Sequence, residues 1–429
     1  MSNDPGKPAE DPQIAEAWTL AEAGKLDEAD RRFELACGGE HAGPAYNGRG
    51  AIAAKRGDFA RAAELFEQAC RLSPKEPLFH YQLGVAMLST GRPDAAIRAF
   101  EACVGLDPDF GHAWFNLGAA RNHVRRPDEA IEAFKRAAAA ARPVDQAEAS
   151  IVSTLRSQGR IDDAIVAARE AISKRDDSAP AWNELGLCLA AKGDLDTALT
   201  CWDRVLEIEP SFHEARFQRG VATAMRGRLE EAERIYRDLI AREPRHVRAR
   251  VNLSGILMHR GDHAGAEREL SAAAPHAGPL AATVVVAMAD LRIRQDRLGE
   301  AERAYREAIR IAPGDLRAQA GLLGAMLGQE RPTEALAEIE RFESATPNQP
   351  LWNDCRAEAF IQLDRHGEAR EILERALASH GPTAVRHAML GRVHEALGDS
   401  ASALAAYDRA LGIDPNFAPA SEGRARVGG

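Results

Sequence analysis

The stretch AWFNLGAARNHVRRPDEAIEAFKRA, residues 113–137, decides the fold. In its first half Trp114, Leu117 and Gly118 fall at helical spacing. In its second half Ala130, Phe134 and Ala137 stand four and three apart, on one face of a helix. Arg125 and Arg126 lie in the turn between the halves, where solvated charge is the ordinary reading. The polar residues Asn116, Asn122, His123 and Arg125 have two readings, the heart of a site or the surface of a helical hairpin. The surrounding sequence separates them.

Aligned on the dipeptide before the second apolar run, the chain reads GDFARAAELF, GRPDAAIRAF, GRIDDAIVAA, GDLDTALTCW, GRLEEAERIY, DRLGEAERAY and GDSASALAAY, at intervals of 34 residues or nearly so. Ala62, Ala96, Ala164, Ala198, Ala232, Ala301 and Ala403 share one register, and Ala29, Ala130, Ala266, Ala335 and Ala369 bring it to twelve copies. Each unit therefore predicts two short antiparallel helices around a Gly-led turn. Small residues at the Gly118 and Ala130 stations admit a close helix approach beside the bulky Trp or Phe. Proline follows the register alanine by twelve residues at Pro74, Pro108, Pro210, Pro244, Pro313, Pro347 and Pro415. Without an N–H, and clashing with the preceding turn, it stops the second helix. No unit buries its apolar face alone, so stacking has to supply the core.

Trp114, Leu117, Gly118, Ala130, Phe134 and Ala137, with Pro143 one place late, resemble the tetratricopeptide repeat. The resemblance implies an all-α fold, a right-handed α-solenoid (superhelix) of about twelve helix-turn-helix repeats whose first helices line a concave surface. Residues 10–417 form the expected superhelix, 1–9 a flexible N-terminus and 418–429 a short tail or capping helix. Possible joints lie near 138–150, 272–284 and 352–364, where the pattern departs from its register. The Val run at 284–286 is expected to be helical, because a solitary strand would leave its backbone unpaired.

Abundant charge (28%) with few aromatics (5%) suits solvent-facing helices. The net charge of −10 is concentrated in residues 1–40, which contribute −6 from ten acids and four bases, and elsewhere the signs nearly balance. A continuous basic stripe for nucleic acid is therefore not expected. No apolar run reaches membrane-span length, so no membrane insertion is expected and a cytoplasmic location is. Cys37, Cys70, Cys103, Cys188, Cys201 and Cys355 contain no CxxC pair, and the first three repeat at 33 residues. This is a repeat period and not a disulfide or zinc framework. There is no GxxxxGK, HExxH or GxSxG motif. His259 and His263 are separated by a turn, and His387 and His394 read as a packed pair. No catalytic residue, metal site or cofactor is expected.

Carrying over the family's inward positions, the sixth position of successive units reads Gln82, Asn116, Ser150, Glu184, Gln218 and Asn252, all polar. Flanking units give Gly48, Ala287, Gly321, Cys355 and Met389. Tyr81, Phe115, Asn183 and Phe217 hold the fifth position, Asn122 and Arg156 the twelfth, and His123, His259 and Arg294 the thirteenth. Amides offer both a donor and an acceptor, matching an extended peptide backbone. The row resembles the asparagine ladder in the repeat domain of O-linked N-acetylglucosamine transferases. At roughly 0.5 to 1.5 kcal/mol net per contact, such a row implies weak, multivalent recognition.

The expected function is a noncatalytic protein-interaction scaffold holding protein or peptide partners along the concave face. Two other readings are a substrate-recruiting adaptor for a glycosyl- or sulfotransferase on another chain, and an architectural subunit self-associating through its end repeats.

Overall fold

The computed structural model describes residues 12–141, 144–347 and 349–428. The expected flexible segment 1–9 and Pro143 lie outside them. Among the described residues there are twenty-five α-helices and no strand. The chain divides into two compact units, residues 1–227 and 228–429. The first holds α1 (Pro12–Glu22), α2 (Leu26–Ala36), α3 (Ala42–Lys55), α4 (Phe59–Leu72), α5 (Pro77–Ser89), α6 (Pro93–Leu106), α7 (Gly111–His123), α8 (Pro127–Ala139), α9 (Ala147–Ser157), α10 (Ile161–Lys174), α11 (Ala179–Ala191), α12 (Leu195–Ile208) and α13 (His213–Met225). The second holds α14 (Leu229–Arg242), α15 (Val247–His259), α16 (His263–Ala273), α17 (Ala281–Arg294), α18 (Leu298–Ile311), α19 (Leu316–Gly328), α20 (Pro332–Ala345), α21 (Pro350–Gln362), α22 (His366–His380), α23 (Ala384–Ala396), α24 (Ser400–Ile413) and α25 (Ala418–Gly428). Within each unit, first and second helices pair as hairpins, and each second helix also packs on the first helix that follows it. This is the α-solenoid arrangement expected from the repeat.

The hairpins close because glycine meets an aromatic ring. A β-carbon placed at Gly50 would stand 2.6 Å from Phe66, one at Gly84 2.5 Å from Phe100, one at Gly118 2.7 Å from Phe134 and one at Gly186 2.9 Å from Trp202. In the second unit Gly391 has the same relation to Tyr407, at 2.5 Å. The α9–α10 hairpin inverts the pair: Val152 replaces the glycine and Ala168 the ring, and both are fully buried. Side-chain volume is thus kept while its source changes helix.

The register alanines Ala62, Ala96, Ala130, Ala164 and Ala198 have no exposed surface. They admit the partner helix at the level where the turn reverses the chain. That turn requires a left-handed residue. Gly57, Gly91, Gly159 and Gly193 supply it, with φ between 70° and 84°. Arg125 takes the same conformation at φ 60°, as do Asp296, Glu330 and Asp364 in the second unit. For a residue with a β-carbon this costs about 1–2 kcal/mol.

The start of several first helices is held by a bond that reading the Trp as bulk does not reveal. Trp114 Nε1 donates to the Pro108 carbonyl at 2.9 Å, and Trp182 and Trp352 donate likewise to the carbonyls of Asp176 and Thr346. At the same station Arg216 and Gln319 reach the carbonyls of Pro210 and Pro313, at 2.9 and 2.7 Å. At these five stations the side chain supplies an N–H that reaches back six residues. Where the acceptor is a proline, as at Pro108, Pro210 and Pro313, the residue that stops one helix also anchors the next.

Between α16 and α17 the chain makes two short 3-10 turns, Ala274–His276 and Gly278–Leu280, and the valines then lie within helix α17. Between α8 and α9, Val144 is buried and its amide donates to the Ala137 carbonyl at 3.3 Å. Trp352 is fully buried in α21. The C-terminal segment forms α25, which lies against α23 and α24. There Gly423 meets the ring of Tyr407, and Ala420 is fully buried.

Gly118→Val is expected to destabilise the first unit by about 1–3 kcal/mol through overpacking. Combining it with Phe134→Ala reproduces the Val152–Ala168 solution and should be less destabilising than the sum of the single changes. Denaturant titration of both single variants and the double variant, as a double-mutant cycle, measures the coupling.

Candidate functional site

The sixth position is a contact between successive repeats as well as a surface position. Asn252 Nδ2 donates to the Tyr236 hydroxyl of the preceding second helix at 3.1 Å. Gly48, Gly321 and Gly423 occupy places where a β-carbon would strike Phe33, Tyr305 and Tyr407 of their preceding second helices. A tyrosine lies beneath asparagine at Asn252 and beneath glycine at Gly321 and Gly423, so the ring bounds the space at this position without fixing the residue.

The amides are accordingly engaged within the fold. Asn116 Nδ2 donates to the Tyr81 hydroxyl at 3.2 Å, and Gln218 Nε2 donates to Glu214 at 2.6 Å. Asn116 and Asn252 each commit a donor to a tyrosine, so a ladder of free asparagines is not what the residues form. Burial pushes both tyrosines above the ordinary range, Tyr236 up to about 12, with the Asn bonds opposing the shift. Gln82 is half-buried, and its Oε1 has no partner among the described residues. It borders an apolar groove of about 270 Å³ lined by Ala51, Ala54, Phe59, Phe66 and Val85.

At the fifth position Tyr81 and Phe115 are half-buried against their own repeats' rings, with centroids 6.0 Å from Phe100 and 5.5 Å from Phe134. Asn183 and Phe217 are only 7% and 6% exposed. Both were expected to face a partner. They are buried among the helices instead. His123, His259 and Arg294 are exposed. Asn252, His259 and Arg294 belong to the second unit and the other expected site residues to the first.

Arg156 and Glu184, both expected to face a partner, pair with each other. Arg156 Nε and Nη2 each lie 3.2 Å from Glu184 Oε2, joining α9 to α11. Burial pushes the Glu184 carboxyl above the ordinary range, and the Arg156 charge draws it part of the way back. This pair closes the gap between two neighbouring first helices.

The gap on the other side of α9 is open. A groove of about 780 Å³ runs between α7 and α9, with Phe115 and Phe134 among its apolar lining. Ser150, Ser153, Thr154, Ser157 and Gln158 line it from α9 and the turn that follows, and Asn122, Arg125 and Pro127 line it from the α7–α8 side. The groove brings together Phe115, Asn122 and Ser150 from the expected set. Arg125 had been assigned to solvated turn surface, and the other residues from Ser153 to Gln158 had not been singled out. Asn122 Nδ2 bridges the two helices by donating to Thr154 Oγ1 at 2.7 Å, and Thr154 donates on to the Ser150 carbonyl at 2.7 Å. The signal in the sequence was the fifth position, where Ala149 stands in place of Tyr81 and Phe115, followed by short hydroxyl side chains.

The six cysteines are free thiols, and burial pushes Cys70, Cys188 and Cys201 up to about 11 and Cys103 and Cys355 up to about 12. They are packing residues in protonated form. His387 is 8% exposed, and burial together with Arg409 lowers its pKa. No cluster of His, Cys, Asp and Glu suited to a metal occurs among the described residues. Among the same residues, no helix is long and apolar enough to cross a membrane.

Arg156→Ala is expected to destabilise the first unit by about 1–3 kcal/mol at neutral pH, because it leaves a buried carboxylate unpaired. Loss of Arg156 raises the already elevated Glu184 pKa. The penalty should therefore shrink as pH falls through that value and the carboxylate is neutralised. Arg156→Ala with Glu184→Gln should recover most of the loss, and denaturant titrations at neutral and mildly acidic pH read both effects.

Family models described as tetratricopeptide repeat match residues 14–77, 81–145, 226–282, 286–350 and 356–416, with further matches at 53–102, 179–212 and 213–238. Protein FlbA of Caulobacter vibrioides is 30% identical over 139 residues, which is 32% of this chain and 23% of that protein. The match thus spans under a quarter of FlbA's length. A solved tetratricopeptide repeat protein from Parabacteroides merdae aligns with a TM-score of 0.51 and 16% identity over 58% of this chain and 99% of its own. Yeast Tom70 aligns with a TM-score of 0.48 and 11% identity over 90% and 95% of the two chains. Helical hairpins recur along both units and the repeat's models match more than half of the sequence, so the chain belongs to the tetratricopeptide repeat family.

Proposed function

We propose that the chain is a noncatalytic interaction scaffold that holds an extended segment of a partner protein along its first helices. The observation that carries this reading is the groove between α7 and α9. It offers an apolar floor and half-buried hydroxyl and amide groups on one continuous surface. Such a lining can satisfy a peptide backbone while its rings take up alternate side chains. The apolar groove beside Gln82 provides a second recess in the same unit. Recognition is then shared among several modest contacts, giving a binding mode suited to reversible assembly. Self-association through the last repeat is not favoured, because α25 covers Tyr407 and the apolar residues around it.

Site-specific photo-crosslinking in the source cells tests the reading. A crosslinking amino acid at exposed groove positions Ala119 or Ser157 should capture a defined partner. The same group at exposed second-helix positions Arg98 or Glu132 should not. Equal capture from both faces, or none from the groove, would overturn it.

A further inference from the structure

The α7–α9 groove carries a cation that the fold does not neutralise. Arg125 lines it, and the acids nearest in sequence are already engaged. Asp128 accepts from Arg160 and Gln158, and Glu129 pairs with Arg121. Glu101 is also held by Arg121, and Glu132 by Lys135. Across the groove, Arg156 is turned to Glu184. Neither Arg125 nor its neighbour Arg126 has an ion-pair partner among the described residues. The exposed His123 adds a further nitrogen donor near this end of α7.

The station that Arg125 occupies makes the charge informative. The equivalent turns of the first unit use glycine at Gly57, Gly91, Gly159 and Gly193, all at positive φ, and Arg125 is the unit's one non-glycine there among the described residues. Glycine would serve the backbone better, and it would place nothing in the groove. Two further groups await a ligand: the Ser150 and Ser153 side chains line the groove half-buried, and neither hydroxyl bonds within the fold among the described residues. The rest of the site is preorganised, with Asn122 and Thr154 fixed to each other and Phe115 packed on Phe134.

We propose that this groove selects an acidic segment of a partner protein. An internal Asp or Glu of an extended chain pairs with Arg125, and an apolar side chain on the same side of that chain lies on Phe115 and Phe134. The inference rests on the scaffold reading above and names the partner's chemistry. A guanidinium presents several N–H donors that match a carboxylate, and charge complementarity at a groove chiefly sets specificity. The hydroxyls of Ser150 and Ser153 then meet the backbone on either side of the acidic residue.

The test uses the full chain and an array of synthetic peptides with a Gly/Ser background, one Leu or Phe, and Glu, Gln or Lys at one variable position. Wild type should bind the Glu peptides about tenfold more tightly than the matching Gln peptides. Arg125→Gly, which installs the residue of the sister turns, should melt no lower than wild type and lose this preference. Arg125→Glu should turn it toward the Lys peptides. Equal binding of Glu and Gln peptides by wild type, or a Glu preference that survives Arg125→Gly, would overturn the proposal. Capture from Ala119 or Ser157 in cells alongside a flat array would sink acidic selection alone, whereas failure of the crosslinking removes the scaffold reading beneath it.

Discussion

The close contact between a first-helix glycine and a second-helix ring is the constraint on which the rest of the structure depends. Gly50, Gly84, Gly118 and Gly186 have no room for a β-carbon, so each hairpin closes to a distance that only those residues permit. The ring then shows its far edge to the next repeat. There it meets the sixth position, which is glycine over Phe33, Tyr305 and Tyr407 and asparagine over Tyr236. One steric relation thus joins the two helices of a repeat and also places the following repeat. A solenoid whose stability sums over repeats and interfaces needs both contacts.

The α7–α9 groove arises where this relation is inverted. Val152 and Ala168 keep the α9–α10 core filled, but no ring projects from the second helix, and Ala149 leaves out the aromatic of the fifth position. With serines along the same helix face, α9 meets α11 through the Arg156–Glu184 pair and faces α7 across open space bridged by Asn122 and Thr154. A conserved interior volume and an altered surface are therefore compatible in one repeat. Function can be placed on such a departure without loss of the stack.

The hairpins, their turns and their stacking order were legible from residues 113–137 and their echoes, because helical periodicity and a fixed register survive substitution of individual residues. Arg125 was legible as a turn residue but not as a groove residue. Asn183 and Phe217 carried the types expected of a binding face and are buried, since position within a repeat does not report what a neighbouring helix covers. Arg156 and Glu184 likewise looked available, each being polar and inward by register. They lie 28 positions apart, and only folding makes them partners.

By itself the sequence determined the periodic skeleton: where helices start and stop, which alanines and glycines admit close packing, and the absence of the motifs that common catalytic sites require. Those are local properties, fixed by spacing, by proline and glycine backbone preferences and by side-chain volume. Which polar groups remain free was decided by tertiary structure alone. Asn116 found Tyr81, Arg156 found Glu184, and Arg125 was left facing a groove with its nearest acids engaged elsewhere. The reason is physical. A charge or amide has fixed chemistry, but its availability depends on partners that only the stacking of repeats brings within hydrogen-bond reach.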